Sequence, residues 1–136
     1  MRRTTDPEDL AIAIANDPEY FKDVSITKWL TDPDNICIIE GEDVSLFDYK
    51  TEGVYWGHYF FTSRGKEASD LAKAVLEHVF NEYPVVLIVG LTPIANRKAR
   101  WMARHIGMTS MGFSETVDGL CELFMKTGPS ASEKDQ

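Results

Sequence analysis

Apolar positions along this chain fall into three patterns, and each pattern predicts a kind of element. Ala68, Leu71, Ala72, Val75, Leu76, Val79 and Phe80 sit on an i, i+3, i+4, i+7 ladder, the single buried face of an amphipathic helix. Asp70, Lys73, Glu77 and Asn81 take the opposite side, with Lys73 and Glu77 at i,i+4. Pro84-Val-Val-Leu-Ile-Val-Gly90 is an apolar, β-branched run without polar alternation, which predicts a strand covered on both faces. Residues 36–39 and 44–49 show shorter runs with partial alternation around a Glu40-Gly-Glu-Asp43 turn, which predicts a hairpin.

The remaining elements follow from punctuation. Residues 1–5 could form a short edge strand. Thr5 or Asp6 as N-cap, Pro7 at the first position and acids in the first turn start a helix that Asn16-Asp17-Pro18 stops. A short helix or loop runs through 19–30, with Tyr20, Phe21, Trp29 and Leu30 as apolar anchors, before turn chemistry at Thr31-Asp-Pro-Asp-Asn35. Lys50-Thr-Glu-Gly53 turns into a central strand, Gly53-Val-Tyr-Trp-Gly-His-Tyr-Phe-Phe61, which feeds the amphipathic helix through a polar, basic turn. After Gly90 comes a connector, then a second helix from about Asn96 to His105 closed by Gly107. Residues 108–115 and 120–126 predict a final antiparallel pair.

Composition narrows the setting. With 136 residues the chain is one domain with room for a core of its own, read as 1–126, and 127–136 has the composition of a disordered tail. Fourteen basic residues against 22 acidic ones give a net charge of −8, which argues against nucleic acid or an anionic membrane as the main partner. Acidity suits a cationic or amine-bearing substrate, and it equally serves solubility. Cys37 and Cys121 fall in predicted strands without metal-ligand spacing, so they read as core residues of a cytoplasmic protein. No secretory signal is visible, and the run 85–89 is far too short to span a bilayer. No metal cluster, P-loop or nucleophile elbow is present in the sequence.

The join at Arg64-Gly65-Lys66-Glu67 carries the most chemistry. A strand running straight into a helix leaves the first helical N–H groups unpaired, a natural seat for a phosphate or pyrophosphate. Arg64 and Lys66 would add full positive charge there, unless they are merely solvated.

The order strand, turn, helix, strand, Asn, helix, Gly-hydrophobe, strand, strand resembles the GCN5-related N-acetyltransferase family. Arg64-Gly65-Lys66 matches the start of that family's acetyl-CoA loop, Arg/Gln-x-x-Gly-x-Gly/Ala, and Ala72 to Phe80 looks like the helix after it. Asn96-Arg-Lys-Ala99 with His105-Ile-Gly107-Met108 resembles the Asn-x-x-Ala/Ser…Leu-Gly-Phe segment, and Met111-Gly-Phe113 the next strand. Arg2-Arg-Thr-Thr-Asp6-Pro-Glu-Asp9 resembles the family's opening. The resemblance implies an α/β (α+β) fold with a mixed, mostly antiparallel central sheet. It implies acetyl-CoA as co-substrate and acetyl transfer to a primary amine on a small molecule or protein.

Residue roles implied by the resemblance follow. The cofactor would lie on Phe61, Thr62, Ser63, Arg64, Gly65, Lys66, Glu67, Ala68 and Ser69, with Asn96 as a further polar contact. The backbone N–H near Tyr59 would face the thioester oxygen. For the base that frees the amine, His58 on the central strand, Glu52 at its start and Glu40 at the hairpin are the choices, and a lone His among aromatics can also be simple packing. The chain departs from the family pattern at Glu67 and Ser69, where small residues are usual, and at Ala103, where many members carry a Tyr as general acid. These departures leave two alternatives open. One is a catalytically silent relative of the kind bacteriophages carry, acting in binding or head assembly. The other is an unrelated α+β binding domain. An edge strand at 54–61 could also pair two chains into a homodimer.

Overall fold

The structure, a computed structural model, describes residues 1–129. Seven strands form one sheet in the order β1-β2-β3-β4-β5-β7-β6. They are β1 (Arg2–Arg3), β2 (Ile36–Glu40), β3 (Asp43–Thr51), β4 (Val54–Phe60), β5 (Leu87–Pro93), β6 (Thr109–Thr116) and β7 (Gly119–Thr127). Every neighbouring pair is antiparallel except β4 and β5, which run parallel. A parallel pair needs a crossover, and α4 (Gly65–Glu82) supplies it. The mixed sheet is the one expected. The hairpin, the long helix and the closing strand pair fall within a few residues of where the pattern puts them.

Both faces of the sheet are covered, which explains why β2 is apolar on successive residues. Ile36 and Ile38 pack with Phe47, Tyr55, Val75, Leu76, Val79 and Phe80 under α4 and α5 (Arg97–His105). Cys37 and Ile39 pack on the other face with Val44, Leu46, Leu10, Phe21 and Leu30. That second face is closed by a 3₁₀ turn (Pro7–Leu10), α1 (Ala11–Asn16), α2 (Pro18–Phe21) and α3 (Ile26–Thr31). Asp6 caps the 3₁₀ turn as its sequence predicts, its side chain accepting from the Glu8 N–H.

Two expectations are corrected. Strand β4 is central, paired with β3 and β5, so it is no edge for a second chain; the edges are β1 and β6. The run at 84–90 is not buried on both sides throughout, because Val86 lies before β5, 61% exposed over Gly53. Lys73 and Glu77 form no ion pair among the described residues; the helical pair is Lys66–Asp70, one turn earlier. The tail read at 127–136 falls mostly on 130–136, outside the described residues, and Thr127 itself closes β7.

One feature of the sheet positions the site. Pairing between β4 and β5 stops at Trp56↔Val89. Beyond it, β4 stays with β3 as far as Phe60↔Val44, while β5 stays with β7 as far as Pro93↔Cys121. The two half-sheets carry the strand ends apart, and a fork opens between them. Its apex is flanked by Gly57 on one strand and Gly90 on the other, neither with a side chain to fill it.

Candidate functional site

Helix α4 starts without a cap. Arg64 precedes it in extended conformation and gives no side-chain hydrogen bond to the first turn; Gly65 follows at φ +58°, a left-handed value that favours glycine. The first-turn N–H groups of an 18-residue helix therefore face the turn without a side-chain acceptor. A phosphate would satisfy them.

The loop leading into this turn is held by Asp43, at the start of β3. Its carboxylate accepts from the Thr62 N–H at 2.5 Å, the Thr62 hydroxyl at 2.9 Å, the Ser63 N–H at 3.3 Å and the Ser63 hydroxyl at 2.6 Å. Burial alone would raise the Asp43 pKa, but these hydrogen bonds outweigh it and hold the carboxyl below its ordinary range. Asp43 was invisible to sequence reasoning. It looks like a hairpin residue, and its partners lie 19 and 20 positions away.

The cations are less free than the sequence implies. The Arg64 guanidinium folds back, donating to the carbonyls of Phe61, Thr62 and Ser63 at 2.7, 3.2 and 3.1 Å. Lys66 pairs with Asp70 at 2.6 Å on the exposed surface. Glu67 is exposed and forms no ion pair with either cation among the described residues, so it does not close the site. Ser69 is buried on the inner face of α4, its hydroxyl donating to the Lys66 carbonyl at 3.1 Å.

Helix α5 ends this picture on the opposite wall. Asn96 is its N-cap, accepting from the Ala99 N–H at 3.1 Å, so the side chain expected to touch a cofactor is engaged in capping. The helix is fastened to the sheet by Glu122, buried on β7, which accepts from Arg100 at 2.8 Å, Arg104 at 2.5 Å and Ser110 at 2.6 Å. Between the two helix starts lies a groove of about 900 Å³ that includes Phe61, Ser63, Arg64, Gly65, Ala68 and Asn96. Arg97, Lys98 and the exposed Trp101 line it too, none of them expected; an exposed tryptophan beside two cations at a helix start was the available signal.

The fork forms a second cleft, about 370 Å³, which shares Tyr59, Asn96, Ala99 and Met102 with the groove. Residues 57–60 form one wall, 90–93 the other, and Ala99, Met102 and Ala103 close it from α5 without a charged or hydroxyl side chain. Alternate residues of an antiparallel strand turn their N–H and C=O away from the partner, so part of the β4 backbone beyond Trp56 faces the open fork. The side chains divide by strand alternation. Tyr59 packs with the α4 side, whereas Phe60 packs with Phe21 and Leu46 on the α1–α3 side.

His58 lines this cleft on the α1–α3 side, with the Tyr20 ring 5.3 Å away. Burial lowers its pKa, with Asp48 opposing and Lys50 adding to the shift, so the imidazole is neutral around pH 7. Glu52 is elsewhere. It sits in the turn before β4, at the opposite end of the strand and roughly 15 Å or more from His58 at about 3.3 Å per residue. Glu40 ends β2 and pairs with the N-terminal amine of Met1. Neither glutamate lines the cleft.

No protein-family model matches the sequence, and a search of curated proteins finds no match. Solved structures do match in shape. The ribosomal-protein-S5-alanine acetyltransferase of Vibrio fischeri superposes with a TM-score of 0.74 at 9% identity, over 95% of this chain and 92% of that one. A GNAT-family acetyltransferase from Bacillus anthracis gives 0.66 at 15% identity, over 100% and 94%. The aminoglycoside acetyltransferase AAC(6')-Ib in complex with coenzyme A and kanamycin gives 0.64 at 19% identity, over 93% and 92%. With the forked mixed sheet and the crossover helix at its mouth, the chain has the GCN5-related N-acetyltransferase (GNAT) fold.

Proposed function

We propose that this chain transfers an acetyl group from acetyl-CoA to a primary amine. The observation that carries the reading is the continuity of groove and fork: an uncapped helix start opens onto a cleft that passes between β4 and β5. Solved structures of similar shape contain coenzyme A or acetyl-CoA, which supports the same donor here. The chain's own residues fit it. First-turn N–H groups of α4 would take the pyrophosphate, and Gly65 leaves the approach open.

In the fork, unpaired β4 backbone N–H would meet the thioester oxygen as charge develops on it. Neutral His58 would take the proton that the amine loses on attacking the carbonyl carbon, directly or through one water. Because burial depresses the His58 pKa, its basic form persists below the ordinary value of 6.5. Activity should therefore stay flat through neutrality and fall only in acid.

Calorimetry with acetyl-CoA tests the reading first. Binding with a micromolar Kd is expected, followed by turnover with a panel of primary amines that His58→Ala lowers about a hundredfold. No heat of binding at millimolar acetyl-CoA would rule the enzyme out.

A further inference from the structure

The two connected cavities differ in charge. The groove between the helix starts includes Arg64, Arg97 and Lys98 and, among the described residues that line it, no carboxylate. The fork is the reverse. Among the described residues that line it, Asp17 is the one charged side chain, His58 being neutral around pH 7. The groove is matched to an anionic donor, and the fork to a cation.

Asp17 occupies the N-cap position of α2, where an aspartate ordinarily turns its carboxylate onto the first helical N–H groups. Here it makes no such bond. The backbone carbonyl of Asp17 serves the helix start instead, accepting from Tyr20 and Phe21 at 3.2 and 3.4 Å. Nor does the nearest cation in sequence claim the carboxylate, because Lys22 pairs with Glu19 at 3.0 Å. Asp17 is exposed, at the mouth of the fork. Tyr20, three positions on, lines the fork as well. Its ring packs on Phe21 and Phe60 at 4.9 and 4.8 Å and stands 5.3 Å from His58.

A carboxylate set against the reacting nitrogen would hold it as an ammonium, which has no lone pair to attack with. Asp17 therefore suits a second cation, one that keeps its proton. We infer that the acceptor is an aliphatic amine bearing a second ammonium group, which Asp17 binds at the mouth of the fork while the first nitrogen meets His58. Asp17 is then a specificity-determining residue, and the Tyr20 ring packs against the chain between the two nitrogens. The inference rests on the acetyl transfer proposed above and adds what the rest of the amine must carry.

Cadaverine and pentylamine share a chain length and differ in the second ammonium group, so they are compared as acceptors by the release of coenzyme A. Wild type should favour cadaverine about tenfold in kcat/KM, of which its two equivalent amines supply about twofold and an exposed ion pair the rest. The advantage should shrink at high salt. Asp17→Asn keeps the backbone carbonyl and should bring the ratio down to about twofold, whereas a purely structural role would lower both rates and leave the ratio alone. Glu19→Gln removes the same charge from a residue outside the cleft and should keep the wild-type ratio. A wild-type ratio of only about twofold, or a larger one that survives in Asp17→Asn, overturns this inference, while acetylation of pentylamine leaves the proposed activity standing. Binding of acetyl-CoA is measured separately, and if it is absent both fail together.

Discussion

The first turns of α4 and α5 border the same groove, yet Asn96 caps the second while no side chain caps the first. The α5 start is satisfied by its own cap: Asn96 accepts from Ala99, and Arg100 and Arg104 tie the helix to Glu122. The α4 start is held from outside, by Asp43 gripping the two residues ahead of Arg64, and its N–H groups stay available. A helix start that needs nothing is a wall. One that is positioned but not capped is a binding surface.

Removing the grip should disturb this contrast most. Asp43→Ala deletes the acceptor of four hydrogen bonds and leaves two N–H groups searching for water, a cost of about 2 kcal/mol. Denaturant unfolding should show that loss. Acetyl-CoA affinity should fall roughly tenfold as the turn loosens. The pH dependence has a definite sign. Because the folded pKa of Asp43 lies below its unfolded value, its stabilisation is complete above the ordinary carboxylate range and is lost as pH falls through the depressed value. A stability profile that declined already near neutrality would place the titrating group elsewhere.

Gly65→Ala acts inside the α4 turn. A methyl there meets nothing within 4 Å, so its cost is conformational, about 1–2 kcal/mol for a left-handed φ. If affinity for acetyl-CoA drops while the rest of the chain keeps its hydrogen-exchange protection, the turn is a ligand surface. Asn96→Ala is the counterpart on α5. Losing the cap should cost about 1 kcal/mol in stability and change acetyl-CoA affinity by no more than about twofold. A large affinity loss there would return Asn96 to the contact role that the family resemblance implies.

The same two helix starts show what the sequence could reveal. Both helices are legible because their signals are local: the apolar ladder from Ala68 to Phe80, and Asn96 three residues before the N–H it caps. Even the fork has local traces, in Gly57 and Gly90, but glycine in a strand has several meanings and neither residue points to the other. What stayed hidden depends on distant pairs. Asp43 meets Thr62 across β3 and β4, and Glu122 meets Arg100 across 22 positions. The charges at the join are a different case, because their partners are local and the sequence does not say that they pair. Arg64 and Lys66 are cationic in sequence, but carbonyls and Asp70 claim much of that charge in the fold.

Glu67 is where the smallest effect is the informative one. In the family pattern a small residue stands here, and a carboxylate beside a pyrophosphate would be expected to repel it. In the fold Glu67 is exposed, in the first turn of α4, where an acid interacts favourably with the helix dipole. Glu67→Gly removes one negative charge that solvent already screens and, with it, that dipole interaction; helix propensity falls as well. These changes oppose one another at the ligand. Acetyl-CoA affinity should therefore stay within about twofold of wild type, while stability drops by about 1 kcal/mol. A gain of tenfold or more would mean that the carboxylate reaches over the turn in solution, and that α4's open start is guarded by its own side chain.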